Sequence, residues 1–126
     1  NKPNEEQVEN MKLLAEKVFE PLREWVGCPI KVNSMFRSLE LNTALKGSKT
    51  SSHMKGEAMD ITRMACGKEN CKSNLDMFHW IKDNLEFDQL IWEFGSEPKW
   101  LHVSFNKDNN RKQVLVTKKR GVYYTY

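Results

Sequence analysis

The sequence predicts an α+β fold, in which helices pack on a mainly antiparallel sheet. Helical periodicity dominates the first part of the chain, whereas alternating, aromatic-rich segments typical of strands follow one another from residue 87 onward. The length of 126 residues suits one ordinary core, so we expect a single domain over 1–126. A hydrophobic content of 39% and a charged content of 29% exclude a disordered or fibrous protein.

The first helix is predicted over 5–26, where apolar residues recur at steps of three and four. Pro21 has no backbone N–H, so we expect it to bend or split this helix near Glu20. Gly27 is a typical stop signal, which indicates that the helix ends there.

The next segments alternate between strand and helix signals. A strand is predicted over 30–35, and Ser38 is expected to cap a short helix over 39–46. The Gly- and Ser-rich residues 47–56 predict a loop. Residues 57–63 predict a second strand.

The second half predicts one helix and then strands. Ser73 and Asp76 have the spacing of a capping box, and an apolar stripe follows them as far as residue 85. Two strands are expected over 87–94 and 100–105. A terminal hairpin is then predicted from two further runs, 114–116 and 122–124, which flank a basic turn at 118–121.

The net charge of +3 is mild, and much of the positive charge lies late in the chain. A solvated basic hairpin explains it, with phosphate binding as the alternative. No aromatic residues interleave with the basic ones in the way that stacks bases, so no nucleic-acid partner is expected. No apolar run approaches the roughly 18 residues of a membrane helix, so no membrane segment is expected. The late basic residues are Arg111, Lys112, Lys118, Lys119 and Arg120.

The three cysteines do not form a complete disulfide framework, because their number is odd. Cys66 and Cys71 are separated by four residues and can bridge across a tight loop in an oxidising compartment. They can equally remain two thiols in a reduced protein, and the sequence leaves both states open.

Three residues have contexts that suit metal ligands: His53, Asp60 and His102. Two imidazoles and one carboxylate, with a fourth position open, make the ligand count of a catalytic rather than a structural zinc site. Gly56 allows a tight turn between the first two, and His102 is expected on a neighbouring strand. The remaining histidine, His79, lies beside a helical stripe and is expected to be structural.

Two stretches resemble the M15 family of zinc peptidases, which contains D-alanyl-D-alanine carboxypeptidases and phage endolysins. The similarity is greatest to the small single-domain, M15A-like branch and extends over roughly residues 10–106. The stretches are Ser51-x-His53-x2-Gly56-x-Ala58-x-Asp60 and Trp100-x-His102-Val103-Ser104, accompanied by Phe36-Arg37-Ser38, Asn42, Gly47 and the segments 20–23 and 87–91.

The resemblance implies a hedgehog/DD-peptidase-like fold and a zinc ion held by the two histidines and Asp60. It also implies a carboxylate that activates water, for which Glu93 and Glu97 are the candidates. Glu93-Phe94-Gly95 matches the shorter relatives and favours Glu93. Other branches carry this base three residues before the last histidine, where the chain has Lys99.

Other side chains also match positions of the family. Arg37 stands where an arginine faces the substrate carbonyl or carboxylate, and a fixed guanidinium suits either task. Ser51 and Ser104 are expected to orient the metal ligands.

The activity implied is hydrolysis of peptide bonds in bacterial peptidoglycan stem peptides, by a carboxypeptidase or an endopeptidase. Such an enzyme is expected in a bacterial cell envelope or encoded by a phage, and we expect a monomer. A non-catalytic zinc-binding domain of the same fold is the main alternative. A nucleic-acid-binding module built on the basic hairpin is a second one.

Overall fold

The computed structural model describes residues 2–48, 50–64 and 71–126. Within them, three of the four α-helices pack against one face of a six-stranded sheet, which confirms the predicted α+β class. None of the described helices is both long and apolar enough to cross a membrane. The helices are α1 (Glu5–Leu14), α2 (Glu20–Val26), α3 (Leu39–Ala44) and α4 (Asn74–Asn84). The strands are β1 (Ile30–Ser34), β2 (Ala58–Arg63), β3 (Gln89–Glu93), β4 (Trp100–Ser104), β5 (Gln113–Lys119) and β6 (Val122–Thr125).

The strand order in the sheet is β1-β2-β4-β3-β5-β6. Every neighbouring pair is antiparallel except β3 and β5, which run parallel. The exception arises from the connection after β4. The chain leaves the end of β4, passes the start of β3, and begins β5 on the side of β3 opposite to β4. Backbone hydrogen bonds from Lys112 to Phe87 and from Gln113 to Asp88 fix that crossing.

The two faces of the sheet have different neighbours. Leu101 and Val103 of β4 are fully buried against the helices, whereas Trp100 and His102 project from the opposite face. We call this second surface the cleft face. The core behind it contains Leu14, Val18, Leu22, Ile61, Met77, Phe78, Ile81 and Leu90, all of them with no exposed surface.

The predicted helix over 5–26 is one helical run with a wide turn in the middle. A π-helical turn over Ala15–Phe19 joins α1 to α2, so the disturbance expected near Glu20 occurs just before it. This turn contains Lys17, whose carbonyl the ring of Pro21 would crowd in a regular α-helix. Gly27 then ends α2 in a left-handed conformation, as the sequence predicts.

Asn74, at the start of α4, ties three segments together. Its side-chain oxygen accepts a hydrogen bond from the backbone N–H of Arg63 at the end of β2. Its amide nitrogen lies within 3.1 Å of the Thr62 hydroxyl and of the carbonyls of Pro98 and Lys99. The turn that precedes β4 is therefore fixed to β2 and α4. Ser73 and Asp76 complete the predicted capping box beside it.

The possible bridge between Cys66 and Cys71 lies outside the described residues, because Cys66 does. The Sγ atom of Cys71 lies 3.0 Å from that of Cys28, which is part of the buried core.

Replacing Asn74 with alanine is expected to lower the free energy of unfolding by about 1–3 kcal/mol, because buried backbone groups lose their partners. The matched control is Asn84→Ala on the same helix, where the exposed amide donates one hydrogen bond to the Trp80 carbonyl. That control should change the free energy by no more than about 0.5 kcal/mol. Urea denaturation measures both, and equal effects would contradict the role of Asn74.

Candidate metal centre and active-site cleft

His53 lies in a short 3-10 turn over Ser52–Lys55 and is almost fully buried. Its Nδ1 atom is 2.7 Å from the backbone carbonyl oxygen of Met35, and its Nε2 atom is 3.2 Å from Oδ1 of Asp60. Because the carbonyl can only accept, Nδ1 carries the proton and donates it to Met35. The Nε2 atom therefore points at the carboxylate.

Asp60 and His102 meet because β2 and β4 pair in a register that places them opposite each other. The Nδ1 atom of His102 is 3.1 Å from the same Oδ1 atom of Asp60. The ligand atoms of His53, Asp60 and His102 all lie within 4.8 Å of one another. The structure thus brings together the three residues that the sequence singles out as metal ligands.

The arrangement of these atoms fits a metal ion. In a neutral imidazole with its proton on Nδ1, the Nε2 of His53 carries a lone pair, and so does the carboxylate oxygen that it faces. Two acceptors at 3.2 Å need a cation between them, either a proton or a metal. Tetrahedral coordination at 2.0–2.1 Å sets neighbouring ligand atoms about 3.3 Å apart, close to the distances of 3.2 and 3.1 Å from Asp60 to the two imidazoles.

Burial of Asp60 would by itself raise its pKa. In the metal-free protein a proton is the cation between these acceptors, and the hydrogen bonds that protonated His102 and His53 then donate, followed by their positive charges, outweigh burial and hold the pKa of Asp60 well below its usual range. Asp60 therefore remains a carboxylate at neutral pH. A ligand that is already ionised has no proton to lose when a metal binds.

The groups that orient the ligands differ in part from the expected ones. The Ser51 hydroxyl accepts a hydrogen bond from the backbone N–H of His53, so it supports the turn rather than the imidazole. The Ser104 hydroxyl accepts from the backbone N–H of Gln89, so it supports β3. The imidazole of His53 is oriented by the Met35 carbonyl. The sequence gives no signal for that contact, because any residue supplies a carbonyl.

Glu93, the last residue of β3, lies half-buried on the cleft face and lines the same cleft as the metal centre. Burial and then the negative charge of Asp60 raise the pKa of Glu93 to about 7. Glu97 and Lys99 are both exposed and do not line this cleft. Of the two candidate carboxylates, only Glu93 faces the site.

Arg37 lies beside the metal centre, because its backbone N–H donates to the carbonyl of His53. Its side chain lines the cleft, and one terminal nitrogen is 3.5 Å from the Ser51 hydroxyl. Among the described residues, the Nε atom of Arg37 is buried without a hydrogen-bond partner. A buried donor left without a partner costs free energy that a ligand oxygen can recover.

The cleft has a volume of about 790 Å³, within the usual range for binding sites in proteins. The loop after α3 lines one side and the cleft face of the sheet lines the other, as far as β5 and β6. The metal cluster, Arg37 and Glu93 therefore share one cavity.

The other residues of interest lie elsewhere. His79 on α4 is far from the ligand cluster in the fold and contacts the rings of Phe78 and Tyr126. In the basic hairpin region, Arg111 pairs with Asp88, and Arg120 donates to backbone carbonyls near α3. The Nζ atom of Lys112 also lies over the ring of Phe87, so three of the five late basic residues are engaged within the protein.

Two histidines and an aspartate that converge in one cleft form a ligand set that suits the metal ion of a hydrolase. The chain belongs to the M15 peptidase family, because the family model described as Peptidase M15 matches residues 2–104. Comparison with curated proteins found no match. Membership of this family and the His53–Asp60–His102 cluster together support a zinc peptidase. The match ends with β4, so β5 and β6 lie beyond it.

Removing one histidine of the cluster is expected to abolish tight metal binding. His102→Ala should weaken Zn²⁺ binding by more than about 100-fold, since loss of a group that merely orients a ligand costs about 10- to 100-fold. His79→Ala is the matched control and should bind Zn²⁺ like the unaltered protein. Calorimetric titration of chelator-stripped protein measures both. Equal affinities for the two variants would place the metal elsewhere.

The titration of Glu93 tests the electrostatics of the cleft. In metal-free protein its pKa is expected near 7, and Asp60→Asn should lower it by removing a nearby negative charge. Carbon NMR of the glutamate carboxyls, with the Glu93 signal assigned from a Glu93→Gln variant, follows the titration directly. An ordinary glutamate pKa in the unaltered protein would contradict the described burial.

Proposed function

We propose that this protein is a zinc-dependent peptidase that hydrolyses peptide bonds in bacterial peptidoglycan stem peptides. The observation that carries the proposal is the convergence of His53, Asp60 and His102 beside Glu93 in one cleft, in a chain of the M15 family. The substrate class comes from the resemblance to wall-cleaving members of that family.

Zinc is the metal that best suits the donor set. Imidazole nitrogens favour zinc over magnesium or calcium, and three protein ligands leave a coordination position open for catalysis. When bound, zinc supplies Lewis-acid chemistry, polarising the scissile carbonyl and making water a stronger nucleophile at neutral pH. His53, Asp60 and His102 hold the ion, and the Met35 carbonyl keeps His53 in the tautomer that ligation requires.

Glu93 acts as the general base in the proposed mechanism. It accepts a proton from the attacking water and delivers it to the nitrogen of the departing amine. Its half-buried position beside the metal ligands suits both halves of that transfer, and in the metal-free protein its pKa is raised to about 7. Glu97 is exposed and away from the cleft, so it does not compete for the role.

Arg37 binds the substrate beside the scissile bond. Its planar guanidinium belongs to a side chain that lines the cleft and can donate to a carbonyl or a carboxylate oxygen. In the first case it stabilises the negative charge that develops on that oxygen during attack. In the second it anchors the carboxyl terminus of the peptide, as a carboxypeptidase requires.

The charge of the cleft suits an anionic peptide. Arg37 and Lys46 line the cavity, and a bound divalent ion would offset the charges of Asp60 and Glu93. Stem peptides of the bacterial cell wall carry carboxylates. Both a terminal D-Ala-D-Ala bond and an internal bond of the stem are consistent with this cleft.

Glu93→Gln is expected to lower the rate of hydrolysis by at least about 100-fold while leaving Zn²⁺ affinity unchanged, because glutamine cannot accept the proton. Glu97→Gln, the matched control, should retain full activity. The assay is mass spectrometry of muropeptides after incubation of zinc-loaded protein with purified cross-linked peptidoglycan, with a chelated sample beside it. Fragment masses identify the bond that is cut.

Two outcomes would overturn parts of this proposal. Full activity in Glu93→Gln would assign the base to another group. An unchanged digest with several wall chemistries, despite tight Zn²⁺ binding, would favour a non-catalytic zinc-binding domain of the same fold.

A further inference from the structure

The β5–β6 hairpin forms a wall of the cleft, although it lies beyond the residues that match the family. Leu115 and Thr117 of β5 and Tyr123 of β6 line the cavity that contains the metal centre. Arg120 and Gly121, at the turn of the hairpin, line it as well. This wall of the cleft therefore lies outside the part of the chain that matches the family model.

Strand register places Tyr123 on the same row of the sheet as Glu93. Glu93 pairs with Thr117 across the parallel β3–β5 ladder, and Thr117 pairs with Tyr123 across β5–β6. Residues directly opposite one another project from the same face, so the three side chains share the cleft face. Two strand spacings separate the backbones of Glu93 and Tyr123 by about 10 Å, so a peptide that lies over Thr117 on the cleft face can reach both side chains.

The hairpin is fixed on both sides of Tyr123. At its turn, a terminal nitrogen of Arg120 donates to the carbonyls of Leu45 and Lys46, each at 3.1 Å. These contacts connect the hairpin to the segment after α3 on the opposite side of the cleft. Beyond Tyr123, the ring of Tyr126 packs against Phe78, with the ring centroids 5.1 Å apart, on the helix side of the sheet.

The phenol of Tyr123 is suited to donate a hydrogen bond. Burial, and then the negative charges of Glu93 and Asp60, raise its pKa above the ordinary value, so it stays protonated at neutral pH. About half of the residue's surface remains exposed, at 51%, so a ligand in the cleft can reach it. The neighbouring Tyr124 has a similar exposure of 58% but does not line the cleft.

We propose that Tyr123 is a substrate-binding residue of the cleft, whose hydroxyl donates a hydrogen bond to a carbonyl or carboxylate oxygen of the peptide beside Glu93. Arg120 is a positioning residue, because it holds the hairpin against the segment after α3. This inference rests on the proposed function in so far as the ligand is a stem peptide. Selection among such peptides then depends in part on the β5–β6 hairpin, which lies outside the residues that match the family model.

Steady-state kinetics on soluble muropeptides with pentapeptide stems test the contact. Tyr123→Phe should raise KM by about 3- to 10-fold, the value of one neutral hydrogen bond, with kcat changed less than about twofold. Tyr124→Phe, the matched control, should leave both constants unchanged. A Tyr123→Phe variant with an unaltered KM would overturn the proposal while hydrolysis by the unaltered protein still supports the function.

A double-mutant cycle tests the role of Arg120. Arg120→Ala should raise KM in the unaltered protein but add little in the Tyr123→Phe background, because it acts through that hydroxyl. Arg120→Lys should restore part of the affinity, since an ammonium can donate to the same carbonyls. Independent, multiplying effects of Arg120→Ala and Tyr123→Phe would overturn the positioning role.

A binding measurement separates this inference from the proposed catalysis. Fluorine NMR of zinc-loaded Glu93→Gln protein containing 3-fluorotyrosine should show the Tyr123 resonance shifting when the same muropeptides are added, while the Tyr124 resonance stays. A shift without hydrolysis by the unaltered protein would support the binding role and overturn the peptidase. An unshifted Tyr123 resonance would overturn the binding role, and absence of both responses would overturn both.

Discussion

The carboxylate of Asp60 is the group on which the rest of the site depends. It is largely buried, and a buried charge is tolerated only with compensating partners, which His53 and His102 supply through one oxygen atom. The register of β2 on β4 makes this possible, because it places Asp60 opposite His102. A slip of one residue would turn Asp60 toward the helices and bury its charge in the apolar core. The register of β2 on β4 therefore forms the metal centre, and the charge of Asp60 in turn disfavours any other register.

His53 depends on a different part of the fold. Its turn is held by α1, where Gln7 and Asn10 donate side-chain hydrogen bonds to the carbonyls of Met54 and Lys55. Gly56 ends the turn with a positive φ of 73°, and an added Cβ there would lie 2.5 Å from the carbonyl oxygen of Gln7. Only glycine allows this close approach without movement of α1. The first helix thus positions a ligand although it contributes no side chain to the cleft.

Local patterns in the sequence predict the helices and strands well. The features that the sequence does not predict depend on contacts between residues distant in the chain. The capping box at Ser73, the stop at Gly27 and the alternation in β4 each depend on neighbours in the chain, so a short window contains their signal. The parallel pairing of β3 with β5 depends on the path of the segment between β4 and β5, which passes the start of β3. No short stretch of sequence contains a signal for that path. The sequence also identifies the metal ligands, because imidazole and carboxylate side chains are the groups that bind zinc. The Met35 carbonyl and the exposure of Glu97 appear only once the chain is folded.

The electrostatics of the cleft connect the metal to the base. In the protein alone, burial and the charge of Asp60 keep the pKa of Glu93 near 7, so much of that carboxyl is protonated at neutral pH. A divalent cation held by Asp60 and the two histidines would offset the second cause, because its positive charge favours the ionised carboxylate. Loading the centre would therefore lower the pKa of Glu93 and leave more of this carboxylate ionised and ready to accept a proton. The same cation would act on the hairpin wall, because it offsets the negative charges of Glu93 and Asp60 that contribute to the raised pKa of Tyr123. Base, metal and hairpin are in this way coupled through one negative charge, that of Asp60.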